Sequence, residues 1–213
     1  MRKLQIALDL LDLDKAIEIA LEVADYIDYI EAGTPLIKKY GMKAVEKLKD
    51  NIGKTVVADM KIMDTGGLEA ELAFQYGADY VTVLAASHLK TIKDVVDTAY
   101  KYSKGSMVDT IAIEEPNQIF RKLDKLDRKP DYLIIHSGID MQITGITPEI
   151  LIREVGSDIK GYRIGVAGGI KLENIDSILM TKDIELIIVG GGLTKAKNPR
   201  EIAKKLRQKI NEY

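Results

Sequence analysis

Short apolar runs alternate along this chain with longer stretches of helical period. The runs predict strands at Leu4–Asp9, Tyr29–Gly33, Thr55–Lys61, Tyr80–Ala85, Met107–Ile111, Tyr132–Ser137, Tyr162–Gly168 and Leu186–Gly191. Between them the apolar spacing predicts amphipathic helices at Lys15–Ala24, Met42–Lys49, Leu68–Gln75 and Thr91–Tyr102. Pro199–Tyr213 reads as a closing helix, with Pro early and Ile202, Leu206 and Ile210 four apart. Thr34 followed by Pro35 reads as another helix start.

Strands separated by helices imply a parallel sheet. Eight such units in 213 residues, roughly 27 residues each, fit a closed (β/α)8 TIM barrel. An open doubly wound sheet is the alternative. No Pro/Ser-rich linker or shift in composition divides the chain, so a single domain over residues 1–213 is expected.

The strand period of two then decides which side chains face the barrel interior. Leu4, Ile6 and Leu8 face the helices, so Gln5, Ala7 and Asp9 face inward. By the same rule Glu31 points inward from the second strand, and Asp59 and Lys61 from the third. Asp109 ends the fifth strand and His136 the sixth. Six ionisable groups from five strands are thus expected at the C-terminal rim, where barrels of this kind carry their chemistry. Buried charges are costly unless paired or metal-bound. A structural ion-pair layer closing the barrel mouth is the competing explanation of the cluster.

Composition narrows the chemistry. The chain has no cysteine, which excludes disulfides, thiolate zinc sites and a Cys nucleophile. Lys+Arg number 31 against 33 Asp+Glu, a net charge of -2, so no basic footprint for nucleic acid or an anionic membrane is present. Acids at Asp9, Asp12 and Asp14 interrupt any signal-peptide apolar region, and no window approaches a membrane span. A soluble, cytoplasmic protein is expected. In the rim cluster four carboxylates stand against one lysine, an excess suited to protons or a cation. Oxygen ligands without sulfur favour Mg²⁺. Lys61, fixed beside Asp59, stays charged and can stabilise negative charge or deliver a proton.

The seventh strand runs into Ala167-Gly168-Gly169 and the eighth into Gly190-Gly191-Gly192. Loops after these two strands form the usual phosphate site of the barrel, because bare backbone N–H groups approach the oxygens closely. A small phosphorylated substrate follows, its phosphate on the glycines and its reacting end over the carboxylates. Tight turns alone explain either glycine pair taken singly. His88 is expected to be a loop or helix-start residue, the ten tyrosines to be half-buried surface, and Lys122–Lys129 to be a solvated helix end.

The third-strand stretch Val-Ala-Asp59-Met-Lys61-Ile-Met-Asp64 matches the Asp-x-Lys-x-x-Asp motif of the orotidine monophosphate decarboxylase suprafamily. Ala-Leu-Asp9, Glu31-Ala-Gly-Thr-Pro-Leu-Ile, Gly-Ala-Asp-Tyr-Val-Thr-Val-Leu, Ile-His136-Ser-Gly-Ile-Asp140 and Val-Ala-Gly-Gly-Ile-Lys add to it. Together they resemble the 3-hexulose-6-phosphate synthase branch, from residue 4 to about residue 205.

That resemblance implies a Mg²⁺-dependent aldolase joining formaldehyde to D-ribulose 5-phosphate through an enediolate, giving D-arabino-3-hexulose 6-phosphate reversibly. It places Glu31 and Asp59 at the metal, and Asp9 and Asp109 at substrate-contacting positions. Gly168, Gly169, Gly190 and Gly191 stand at the phosphate, and His136 at the position of the proton-transfer base. Lys61 and Asp64 complete the motif, with Asp64 reaching the neighbouring subunit's site in a homodimer. Many relatives carry Gly-Arg at the end of strand eight, where the Arg contacts phosphate. Here that place is Gly191, leaving backbone amides or Lys195 for the task. Relatives that decarboxylate 3-keto-L-gulonate 6-phosphate typically carry an Arg shortly after the motif His. His136-Ser-Gly-Ile139 has none. That decarboxylase, and a non-catalytic phosphosugar-binding barrel, are the alternatives.

Overall fold

A computed structural model describes residues 2–113, 115, 117–155, 161–181 and 184–213. Eight parallel strands close into one barrel in sequence order, β1 pairing with β8. The strands are β1 (Lys3–Leu8), β2 (Tyr29–Ala32), β3 (Thr55–Ile62), β4 (Tyr80–Leu84), β5 (Gly105–Asp109), β6 (Tyr132–His136), β7 (Ile164–Ala167) and β8 (Ile184–Val189). The first crossovers are helices α1 (Leu13–Val23), α2 (Thr34–Tyr40), α3 (Lys43–Ile52), α4 (Gly66–Gln75) and α5 (Leu89–Lys101). α6 (Asn117–Leu123), α7 (Ile139–Ile143), α8 (Pro148–Val155), α9 (Ile175–Leu179), α10 (Gly191–Thr194) and α11 (Pro199–Glu212) follow. The closed barrel replaces the open-sheet alternative.

Alternation along the strands builds two cores. Outward residues such as Leu4, Ile6, Leu8, Ile30, Val56 and Ala58 are buried against the helices. Inward residues including Ala7, Tyr29, Val57, Met107, Ile134 and Leu186 fill the barrel. The helices form because their apolar positions recur on one face, as with Ala44, Val45, Leu48 and Ile52 of α3. Caps fix their starts. Asp12 accepts from the Lys15 N–H at α1, His88 from the Lys90 N–H at α5, and Asn198 from the Glu201 N–H at α11. Pro35 lies in the first turn of α2, as the sequence predicts.

Two expectations change. Tyr29 and Tyr132 are buried rather than on the half-buried surface, and the half-buried Tyr80 joins them. They gather inside the barrel toward its N-terminal end, Tyr29 stacked on Tyr80 at 5.5 Å, with the Arg163 guanidinium 4.2 Å from the Tyr132 ring. Inward positions of three different strands bring them together, a pairing invisible in linear spacing. In the Lys122–Lys129 stretch Asp124, Lys125, Asp127, Arg128 and Lys129 are exposed as expected, but Lys122 is not solvated. It is partly buried and donates to the carbonyls of Ala85 and Ser87 beyond β4, while Leu123 and Leu126 are buried.

Candidate active site

β3 supplies the centre of the rim. Its pairing with β4 shifts register between Ala58 and Ile62, and Lys61 takes a left-handed φ of 47°. For a residue with a Cβ that conformation costs about 1–2 kcal/mol. The Lys61 N–H donates to Thr82 Oγ1 at 2.9 Å, holding the bulge. The Lys61 ammonium then lies 2.5 Å from Asp59 Oδ2 and 3.4 Å from Asp109 Oδ2. Burial alone would lower its pKa, but Asp59, Asp109 and Glu31 raise it above the ordinary lysine value. Lys61 is a fixed cation.

Asp59 is 2% exposed. Thr34 Oγ1 donates to its Oδ2 at 2.7 Å and Thr82 Oγ1 to its Oδ1 at 2.8 Å. Glu31, on neighbouring β2, is buried and accepts from the Gln5 side-chain amide. Burial, then the charge of Asp59, pushes the Glu31 carboxyl well above the ordinary carboxylate range. Asp9 follows the end of β1. Its carboxylate lies against Gly33, where a Cβ would come within 2.3 Å of Oδ1, and near Gly190. Burial by the surrounding site and the charge of Asp59 also raise its pKa.

Asp109 and His136 end β5 and β6. His136 Nδ1 is 3.0 Å from each Asp109 oxygen. Burial would raise the Asp109 pKa, yet His136, Lys61 and the Ile111 N–H bring it down to about 2. An ionised carboxylate only accepts, so Nδ1 carries a proton toward Asp109, and Nε2 is the ring nitrogen left for the substrate side. The His136 N–H also donates to the buried Thr110 hydroxyl, tying the end of β6 to β5.

The structure therefore brings Asp9, Glu31, Asp59, Lys61, Asp109 and His136 to one rim. It does not bring Asp64 there. Asp64 is exposed in the β3–α4 loop and forms no ion pair with another described residue. The glycines lie across the mouth, after β7 and β8. Gly168 has φ +101°, and a Cβ there would sit 2.0 Å from the Ser137 carbonyl. Gly169 has φ +64° and packs on Gln142. Gly191 opens α10, with Lys195 Nζ 3.9 Å from the place of its missing Cβ. Both residues line a cavity of about 450 Å³ that also takes in Lys171 and Gly192.

Gln5, Thr34 and Thr82 join the site without having been assigned to it by the sequence. Gln5 and Thr82 were detectable as polar residues at inward strand positions, but Thr34 read only as a helix start. Among the described residues, no three His, Asp or Glu side chains form a ready-made metal cage.

The chain is 41% identical over 209 residues to the 3-hexulose-6-phosphate synthase of Staphylococcus epidermidis, covering 98% of each. The crystal structure of 3-hexulose-6-phosphate synthase from Salmonella typhimurium superimposes with a TM-score of 0.93 at 34% identity, covering 99% of both chains. The 3-keto-L-gulonate-6-phosphate decarboxylase of Vibrio cholerae superimposes with a TM-score of 0.84 at 31% identity, covering 100% of this chain and 98% of its own. The family model described as orotidine 5'-phosphate decarboxylase / HUMPS family matches residues 2–206. The chain belongs to that family.

Proposed function

We propose that this chain is a 3-hexulose-6-phosphate synthase, condensing formaldehyde with D-ribulose 5-phosphate to D-arabino-3-hexulose 6-phosphate. The carrying observation is the Asp109–His136 pair, which presents a base at the rim beside the Lys61 cation. Structural superposition gives 34% identity and a TM-score of 0.93 to the synthase, against 31% and 0.84 to the decarboxylase, which supports the aldol reading over decarboxylation. So does Ile139 in place of an Arg after His136.

Mg²⁺ fits the donor set. Glu31 and Asp59 offer hard oxygens from adjacent strands, and Asp9, Glu31 and Asp59 together carry negative charge that Lys61 balances only in part. An ion held by one or two carboxylates and completed by substrate and water needs no protein cage. When bound, Mg²⁺ supplies Lewis acidity at the substrate's carbonyl and hydroxyl oxygens.

The chain's own residues do the rest. His136 Nε2 takes the proton from C1 of the ketose, and Asp109 stabilises the imidazolium that forms. Lys61 faces the negative charge developing on the enediolate oxygens. C1 attacks formaldehyde, a C–C bond forms as the carbonyl π bond opens, and the new alkoxide takes up the proton that the His136 imidazolium gives back. The glycine loops and Lys195 hold the phosphate, so remote binding orients C1 over the base. Asp109 was expected at the substrate, but its oxygens face His136, Lys61 and the Ile111 N–H, which supports a role in orienting the base. Asp64 acts on the partner's site of a homodimer. Its exposure supports this, as do the exposed Met63, Leu68 and Leu72 around it.

The test is consumption of ribulose 5-phosphate in the presence of formaldehyde. Turnover that stops with EDTA and returns with Mg²⁺ is expected. No turnover with any divalent metal would reject the reading, and faster CO₂ release from 3-keto-L-gulonate 6-phosphate would favour the decarboxylase.

A further inference from the structure

Gln5 lies in the barrel interior, 1% exposed, one inward layer below Glu31 on the neighbouring strand. The surrounding inward residues are apolar or aromatic, Ala7, Tyr29, Val57 and Leu186 among them. A methionine or leucine would pack there without burying a polar group. Gln5 instead donates its side-chain N–H to Glu31 Oε2, while its own Oε1 is buried with no hydrogen-bond partner. An orphaned buried acceptor lowers stability.

The orientation is nevertheless fixed by chemistry. An ionised Glu31, the form that would hold a cation, accepts and cannot donate, so the amide then turns its N–H toward Glu31 and leaves its own carbonyl unsatisfied. Glu31 needs such a tether. Asp59 and Asp9 share the rim with it, and like charges push its carboxylate away from the Asp59 oxygens with which it would share a cation.

From this geometry we infer that Gln5 is a positioning residue, retained at a cost in stability to hold the Glu31 carboxylate in place for a divalent cation. The inference rests on the proposed reading of Glu31 as a metal ligand. Groups that orient ligands in this way change metal affinity roughly 10–100-fold when removed.

The experiment is Mn²⁺ binding to the metal-free protein, read by the electron paramagnetic resonance of free Mn²⁺, with thermal unfolding run in parallel. Wild type, Glu31→Gln and Gln5→Met are compared. Gln5→Asn, whose shorter amide cannot span to Glu31, covers a methionine variant that does not fold. The expected result is Mn²⁺ binding to wild type, its loss in Glu31→Gln, and binding weakened roughly 10–100-fold in the Gln5 variants. Gln5→Met should unfold no earlier than metal-free wild type, which a merely structural role would not allow. Gln5 variants that bind Mn²⁺ like wild type, while Glu31→Gln does not, would overturn the role of Gln5 and leave the metal site standing. Absence of binding to wild type, or unchanged binding in Glu31→Gln, would overturn both.

Discussion

The Nδ1 atom of His136 is held 3.0 Å from both carboxylate oxygens of Asp109. Since Asp109 stays ionised down to about pH 2, the hydrogen bond dictates which ring nitrogen carries the proton. Asp109→Asn keeps the shape but offers an amide N–H to Nδ1, which would move the ring proton to Nε2 and remove the base. The turnover number should fall roughly 10²–10⁴-fold with KM little changed. Steady-state kinetics checks this, and an Asp109→Asn enzyme within a few-fold of wild type would contradict it.

Stability without metal should depend on pH in two opposite ways. Glu31 and Asp9 hold their protons to higher pH folded than unfolded. Between those limits the folded state binds more protons, so stability falls as pH rises. In EDTA the protein should therefore unfold at a higher temperature near pH 5 than near pH 8, and Glu31→Gln should reduce the difference. Asp109 works the other way. Its lowered pKa contributes stability that is complete above the ordinary carboxylate range and is lost as pH falls through about 2. Calorimetry of wild type and Glu31→Gln across this range separates the two, and superimposable pH profiles would count against the repulsion at Glu31.

Asp64 and Lys61 belong to one motif but not to one place in the chain's own rim. Lys61→Ala and Asp64→Ala should each be inactive alone. Mixed and reassociated, they should recover part of the activity, because one site of a heterodimer then carries both native residues. No recovery in heterodimers verified by mass spectrometry would exclude shared sites.

Lys195 reaches toward the Gly191 backbone and forms no ion pair among the described residues. A charge-assisted bond to phosphate is worth about 1.5–3 kcal/mol. Lys195→Ala should then raise KM for the phosphosugar about 10–100-fold and move the turnover number less. A KM equal to wild type would leave the phosphate to the glycine amides alone.

The barrel was legible because alternation and helical period report one-dimensional burial, which neighbouring elements share. Asp59, Asp109 and His136 fell on inward strand ends for that reason. One strand limit shifts because small residues carry no apolar signal. β5 begins at Gly105 rather than Met107, since Gly105 and Ser106 pair with Tyr80 and Val81 through backbone alone. The Lys61 bulge, the Lys122 bridge to Ala85 and Ser87, and the tyrosine cluster depend on contacts between distant segments. No spacing in the sequence encodes them.

Proton exchange at C1 of ribulose 5-phosphate, in deuterium oxide with Mg²⁺ and without formaldehyde, isolates the step that the rim geometry is assigned. Nuclear magnetic resonance should show wild type washing deuterium into C1 at a single face, and His136→Ala leaving C1 undeuterated. Exchange at the wild-type rate in His136→Ala, or none in a wild type that still condenses the two substrates, would contradict the account.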